Sequence, residues 1–373
     1  MIRTLQLQNF KCFEDEEIDL GRLTLLAGLN GMGKSSVLQS LLLLRQSYQQ
    51  GLLSKKLLAL NGELVALGTA QDILFEEASK DKIGFGVILK DGTHAQWEFK
   101  YNREADVLKQ ISPTISKNIF KSSLFNDHFH YLQAERIGPR VTFDMSDYMV
   151  RRHHQLGSKG EYTAHFLHLF GTSIKTDKTM HHEKAKSNDL GDEVEAWVSE
   201  VSPGTRIEIN PYSELDLMNL QYSFERGKQV SNAYRSTNVG FGITYTLSVI
   251  VALLSSAKGD LVLLENPEAH LHPKGQVQMG KLIALAAKSG VQVIVETHSD
   301  HILNSVRLSV HTGTLLPEDI SLNYFEQRDY DSGSRVVITT PQIDKNGRID
   351  YWPPGFFDQF EKSLDALLRS PGK

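Results

Sequence analysis

The residues with the clearest chemical potential are "GLNGMGKS", Gly28–Ser35. Glycines at this spacing let the backbone curl so that successive N–H groups point inward, a concavity suited to phosphate oxygens. Asn30, Gly31, Gly33, Lys34, Ser35 and Ser36 would line it. In the pattern G-x-x-x-x-G-K-[ST], the lysine, Lys34, reaches the β- and γ-phosphates, and the hydroxyl of Ser35 ligates Mg²⁺. A second stretch, "LVLLENPEAHLHP" (261–273), brings the carboxylate of Glu265 to the end of an apolar run, where it would hold Mg²⁺ through water. A third, "VIVETHSDHIL" (293–303), sets His298 just after another apolar run. Together these residue types predict a site for ATP and Mg²⁺.

Asn266 is the odd residue. Efficient ATP-hydrolysing sites of this build carry Asp-Glu where this chain has Glu265-Asn266. An amide can orient a water molecule but cannot accept its proton with useful basicity. Two routes stay open. Glu268, two residues on, swings in as general base, or hydrolysis is slow by design and ATP acts as a clamp that times a conformational state. The reading adopted is a working ATP site with slow turnover and Glu268 as its base.

The elements that must position these groups follow from the apolar periodicity. "RLTLLAG" (22–28) is continuously apolar, as a strand buried on both faces should be. After the glycine loop, Leu38, Leu41 and Leu42 recur at helical spacing, so the order is strand, loop, helix. The N-terminus of that helix adds its positive end to the phosphate site. Upstream, "IRTLQLQNF" (2–10) alternates as a half-buried strand, and residues 83–101 predict a hairpin turning at Asp91-Gly92. From 239 onward the pattern alternates helix (243–257), strand (261–264), helix (274–289), strand (291–295), helix (300–309). That predicts an α/β fold with a mostly parallel sheet covered by helices. Between 141 and 235 two helices, 160–170 and 190–201, flank a polar stretch, "GTSIKTDKTMHHEKAKSND", expected to be an exposed, mobile loop. After 320 come a hairpin, an aromatic turn "YWPPGFF" and an amphipathic helix.

Composition sets the outer bounds. A chain of 373 residues with 40% apolar and 23% charged residues can bury a normal core. The single cysteine, Cys12, excludes an internal disulfide framework and suits a reducing cytosol. The N-terminus lacks the marks of a signal peptide. The most apolar segment, "ITYTLSVIVALLSSA" (243–257), is too short to span a bilayer, so no membrane partner is expected and the location expected is cytoplasmic. Net charge of −5 argues against a globally basic coat for nucleic acid.

On these residues the chain resembles a known group. "LQLQNFKCFEDEEIDLGRLTLLAGLNGMGKSSVLQSLLLL" is similar to the N-terminal lobe of ABC-type ATPase heads of the RecF, SMC and OLD kind. The resemblance continues in order. "YLQAERIGPR" looks like the glutamine loop, which would make Gln133 a sensor of Mg²⁺ and the attacking water, with Gln71 in "LGTAQDIL" as its rival. "STNVGFGITYTL" looks like a degenerate signature, with Gly240 and Gly242 at the start of a helix facing a γ-phosphate. His298 takes the place of the switch histidine. The resemblance implies an ABC-type head: a mixed sheet with a parallel phosphate-loop core, an N-terminal antiparallel lobe and a small helical insertion. It divides the chain into an N-terminal lobe (1–140), an insertion (141–235), a lobe with signature, second nucleotide motif and switch (236–320), and a C-terminal hairpin and helix (321–373). It assigns Mg²⁺ to Ser35, Gln133 and Glu265. With one phosphate loop and one signature per chain, it implies a two-fold homodimer closed around ATP. "ENPEAHLHPKGQ", "ETHSDHILN" and "NGRIDYWPPGFFDQFEKSL" resemble a bacterial subfamily whose relatives, such as the Septu ATPase, occur in anti-phage defence operons beside a nuclease.

Three functions compete. One is an ATP-driven switch that gates an effector encoded nearby. The second is a RecF-like repair ATPase with DNA on its surface, for which Arg136, Arg140, Arg151 and Arg152, flanked by His153 and His154, form a candidate phosphate-contacting strip. The third is an intrinsic nuclease using Glu326, Asp329 and Asp331, disfavoured because these lie at a hairpin tip without a domain around them. His270 and His272 beside Glu268 sit on a turn rather than one helical face, a poor arrangement for a metal. "YWPPGFF" is expected to pack back onto the catalytic lobe.

Overall fold

The computed structural model describes residues 1–113, 115–330 and 333–368. Its centre is a six-stranded sheet. In spatial order the strands are Gly333–Thr339, Ile320–Tyr330, Leu23–Gly28, Gln292–Glu296, Leu261–Glu265 and Phe129–Leu132. All neighbours pair in parallel except the first two, which form the C-terminal hairpin. The hairpin expected after residue 320 joins this sheet through its first strand, with Ile320 opposite Leu23 and Phe325 opposite Gly28.

The inner strands are apolar throughout because both of their faces are covered. Alternate side chains serve two different cores. Val262, Leu264, Val293 and Val295 point toward the helices Phe241–Ser255 and Pro273–Ser289, whereas Leu261, Leu263 and Ile294 point toward the helix Lys34–Gln49 and the N-terminal lobe. Each fully buried Leu, Ile or Val side chain contributes about 1.5–3 kcal/mol of transfer free energy. The N-terminal lobe is an antiparallel sheet in the order Phe13–Asp19, Ile2–Phe10, Lys82–Leu89, His94–Lys100. Leu5 and Leu7 are buried there while Gln6 and Gln8 are half-buried, as the alternation predicts. These layers form an α/β head with a parallel core, an antiparallel lobe and a helical insertion.

The insertion departs from expectation at 171–189. Thr176, Met180 and His182 are buried there, so the segment is not an exposed loop. Its polar groups are satisfied internally. Glu193, wholly buried on the helix Leu190–Val201, accepts the His182 N–H at 2.9 Å and also bonds His181 Nδ1. The Trp197 indole donates to the Met180 carbonyl at 3.1 Å. At the other end, Phe356 packs into the larger core and Tyr324 Oη donates to the Pro354 carbonyl at 3.0 Å, so the aromatic turn lies against the central sheet. Among the described residues no helix is long and apolar enough to cross a membrane.

Candidate nucleotide site

The parallel strands deliver their C-terminal ends to one edge of the sheet, the place where open α/β sheets bind ligands. There the phosphate loop leaves the strand Leu23–Gly28 and enters the helix Lys34–Gln49. Gly33 caps that helix at φ 89°, a left-handed conformation, and a Cβ there would lie 2.5 Å from Cys12 Sγ and 2.8 Å from the Phe13 ring. The loop therefore needs glycine for two reasons, backbone angle and the turn pressed against it. A cleft of about 310 Å³ is lined by Lys11, Cys12, Asn30, Gly31, Gly33, Lys34, Ser35, Ser36, Gln39 and Glu296. Lys34 is buried, and its Nζ donates to the carbonyls of Gly28 (3.0 Å) and Leu29 (2.8 Å). Burial lowers the Lys34 pKa, and Glu296 opposes the shift.

Three carboxylates stand at this edge. Glu265 and Glu296 end adjacent parallel strands and face each other in register. Glu265 accepts the Tyr131 hydroxyl at 2.8 Å and the Ala134 N–H at 3.0 Å. Glu296 takes the Ser35 hydroxyl at 2.9 and 3.1 Å from its two oxygens. Burial pushes the Glu296 pKa up, the Ser35 bond opposes this, and the nearby Glu265 charge adds to it. Glu268 is 8% exposed and receives the His298 N–H at 2.8 Å on one oxygen, while its other oxygen is buried without a partner. Burial raises its pKa as well. The His298 imidazole is exposed, and burial of its inner part and then the Lys34 charge hold its pKa below the ordinary value.

Glu296 was not singled out among the sequence candidates. Its signal was present: "VIVE" ends in a carboxylate just as "LVLLE" does, one α/β unit later. Asn266 also gains an explanation. Its φ is 45°, a left-handed angle that Asn tolerates better than Glu. Its N–H donates to the Glu296 carbonyl at 2.8 Å, which ties the two strand ends together.

Arg136 holds the surrounding loops. Its guanidinium donates to the carbonyls of Gln133 (3.0 Å), Glu265 (2.6 Å), Asn266 (2.7 Å) and Tyr245 (3.2 Å), and stacks 4.5 Å from the Tyr245 ring. Burial brings its pKa down to about 10, so it remains a cation at neutral pH. One side chain thus joins the loop after Leu132, the end of the Glu265 strand and the helix Phe241–Ser255. Gln133 itself is tied to Ser158: its N–H donates to the Ser158 carbonyl at 2.9 Å and its amide stands 3.5 Å from Ser158 Oγ. Gln71 accepts from Arg103 at 2.9 Å on an exposed surface. Gly240 caps the helix Phe241–Ser255 with open space beside it, and Gly242 presses against the loop of the second nucleotide motif. His270 packs its ring on Phe241 and Tyr245, and His272 caps the helix Pro273–Ser289 by accepting the Lys274 N–H.

The donor set fits Mg²⁺, a hard cation that prefers oxygen: Ser35 Oγ and the carboxylates of Glu265 and Glu296. No group of three or more His, Cys, Asp or Glu among the described residues could hold a metal alone. Phosphate oxygens and water would complete the shell, the usual arrangement for Mg²⁺ at nucleotide sites.

The basic strip is thinned by the fold. Arg136 is buried in the site just described, Arg151 pairs with Asp147, His153 with Asp127, and His154 stacks on Phe170. Arg140, Arg151 and Arg152 remain exposed, Arg151 within a surface ion pair. In the hairpin, Glu326 is bonded by Arg328 and Asp329 by Ser334, while Asp331 lies outside the described residues.

A parallel sheet with a phosphate loop at its edge, carboxylates at the neighbouring strand ends and an antiparallel N-terminal lobe defines an ABC/AAA ATPase of the RecF, SMC and OLD group. The chain belongs to the family described as "AAA domain, putative AbiEii toxin, Type IV TA system", which matches residues 23–304. Residues 315–367 match a second family, "Protein of unknown function (DUF3696)". Over 41 residues, 11% of the chain, it is 44% identical to the OLD nuclease of Thermus scotoductus, a match spanning 8% of that protein's length. Among solved structures it is similar to an Smc head domain with an extended coiled coil bound to the C-terminal domain of ScpA, derived from Pyrococcus furiosus. That likeness has a TM-score of 0.52 and 13% identity, and covers 99% of each chain. An SmcHead bound to the C-winged helix domain of ScpA gives 0.51 and 14%, with 91% of this chain and 98% of that one covered. At such identities the likeness is one of fold.

Proposed function

We propose that the chain binds ATP with Mg²⁺ at the phosphate loop, hydrolyses it slowly, and closes as a two-fold dimer around two nucleotides to act as a switch for an effector protein. The observation that carries this reading is the Glu268–His298 contact beside Ser35 and Glu296. A half-free, buried carboxylate is hydrogen-bonded to the backbone of the histidine that would sense the γ-phosphate. Burial raises the basicity of Glu268, which suits a general base. Support for closure comes from two apolar side chains beside the motifs that would meet, Leu29 at 66% and Phe241 at 46% exposure. The similar Smc heads are each bound to a domain of ScpA, and a protein partner for this chain is proposed by analogy. A nuclease in an anti-phage system is the effector class proposed. With Arg136 buried, the DNA-repair alternative rests on Arg140, Arg151 and Arg152.

The test compares wild type, Lys34→Ala and Glu268→Gln for nucleotide affinity, turnover and size in solution. Removing the lysine that meets the phosphates should weaken ATP by about 10- to 150-fold, the equivalent of a charged hydrogen bond. Glu268→Gln should keep ATP, lose about 10²- to 10⁴-fold in turnover and accumulate as a dimer. Unchanged turnover in Glu268→Gln would move the base elsewhere. Salt-dependent binding of duplex DNA by wild type would favour the repair reading.

A further inference from the structure

Glu296 is the group at this edge that the phosphate-loop pattern does not require. It is 7% exposed, yet it lines the nucleotide cleft and both of its oxygens reach the Ser35 hydroxyl. Its charged neighbours are the Lys34 cation and two further carboxylates. Glu265 lies in register on the next strand, and the charge of Glu268 acts on it as well. Two buried carboxylates with a third, half-buried one beside them are costly unless a cation joins them.

The cations already present, Lys34 and Arg136, offset the three carboxylates only in part. The Lys34 ammonium is turned back onto the Gly28 and Leu29 carbonyls. The Arg136 guanidinium gives its hydrogen bonds to backbone carbonyls of Gln133, Glu265, Asn266 and Tyr245. A second observation points to the same deficit: the buried Glu268 Oε2 has no donor. The Ser35 hydroxyl, meanwhile, spends its hydrogen on Glu296, which leaves its oxygen lone pairs free to ligate a metal without moving the side chain far.

We infer that Glu296 is a direct ligand of the divalent cation that accompanies the nucleotide, sharing it with Ser35. The inference rests on the nucleotide-site reading above. It assigns to the end of the Gln292–Glu296 strand a ligand position that the sequence reading gave to Gln133, whose side chain is directed to Ser158. It also accounts for a site that keeps a full complement of carboxylates although Asn266 stands where one is usual: the anionic group comes from the adjacent strand. Ser35 of the phosphate loop and Glu296, two residues before His298, would then hold the same cation. Cation arrival would replace the Ser35–Glu296 hydrogen bond by two bonds to one ion.

The test is the metal dependence of binding of a non-hydrolysable ATP analogue, measured by calorimetry in EDTA and in Mg²⁺. It uses the full chain and its Glu296→Gln, Glu296→Asp and Gln133→Ala variants. Mn²⁺ bound with the analogue is followed in parallel by electron paramagnetic resonance. Wild type should bind more tightly with Mg²⁺ than in EDTA. Glu296→Gln should bind in EDTA no more weakly than wild type, because it removes a negative charge beside the phosphates, and lose about 10- to 100-fold of the Mg²⁺-dependent gain. Glu296→Asp should recover part of that gain, and Gln133→Ala should lose less of it than Glu296→Gln. The Mn²⁺ spectrum of Glu296→Gln should differ from that of wild type. A full Mg²⁺ gain in Glu296→Gln, or a loss of binding in EDTA as large as that in Mg²⁺, would overturn the inference and leave the nucleotide site standing. Failure of wild type to bind the analogue under either condition would overturn both.

Discussion

Cys12 sits where the first turn of the N-terminal lobe touches the phosphate loop, and its chemistry follows from that contact. Burial pushes the thiol up to about 11, with only partial relief from hydrogen bonding and from Lys11. The nucleophile is the thiolate, so at pH 8 only about one molecule in a thousand is reactive. Alkylation by iodoacetamide should therefore be slow at pH 7 and rise about tenfold per pH unit through pH 10. ATP with Mg²⁺ should slow it further, because Cys12 lines the cleft. A rate that levels off near pH 8.5 would show the thiol to be solvated like that of a free cysteine. Asn266 makes a related point at the same scale. A residue that looks like a catalytic loss in the sequence occupies a left-handed backbone position, and its backbone N–H donates to the Glu296 carbonyl.

Between elements, close approach sets the tolerances. Gly242, in the first turn of the helix Phe241–Ser255, would place a Cβ 2.6 Å from the His270 carbonyl, a backbone atom that cannot swing aside. Gly242→Ala should push the helix off the loop that carries Glu268 and cost about 1–3 kcal/mol of stability, read as a lower urea midpoint. Gly240 has nothing within 4 Å of its position, so Gly240→Ala should change stability by about 0.5 kcal/mol or less while weakening ATP-driven dimerisation. Equal losses of stability in the two variants would refute this contrast. The same helix is also held by Arg136, which donates to the Tyr245 and Glu265 carbonyls and so fixes the spacing between helix and strand end.

At the scale of the molecule, the C-terminal segment is part of the head. The strand Ile320–Tyr330 pairs with the phosphate-loop strand, and Phe356, 1% exposed, packs against Tyr324 and Trp352 at ring separations of 5.2 and 5.5 Å. Phe356→Ala should cost about 3–5 kcal/mol, as large-to-small changes in a core do. The helix Gln359–Leu368 behaves differently, since Leu364, Leu367 and Leu368 are all exposed. Leu367→Ser should shift stability by about 0.5 kcal/mol or less. Chemical denaturation of both variants checks the division, and a Phe356→Ala midpoint equal to wild type would detach the tail from the core. A Tm taken alone would be a weaker measure, because a chain with two cores need not unfold in one step.

The sequence alone determined the local order. Continuous apolar runs ending in glycine or glutamate, the glycine spacing of residues 28–35 and the alternation of helices and strands after 239 are short-range patterns. The backbone follows them because burial and φ preference act within a few residues. The placement of Glu265 and His298 after strands was readable for the same reason. Only the tertiary structure decided which strand ends are neighbours. Glu296 meets Ser35 across 261 residues of chain, Arg136 reaches Glu265 and Tyr245 across more than 100, and neither separation leaves a periodicity to read. The same holds for the segment 171–189, polar by composition yet folded inward, because its donors and acceptors find partners such as Glu193 that composition cannot reveal. Long-range pairing depends on which surfaces remain after the local elements form, and that is a property of the assembled layers.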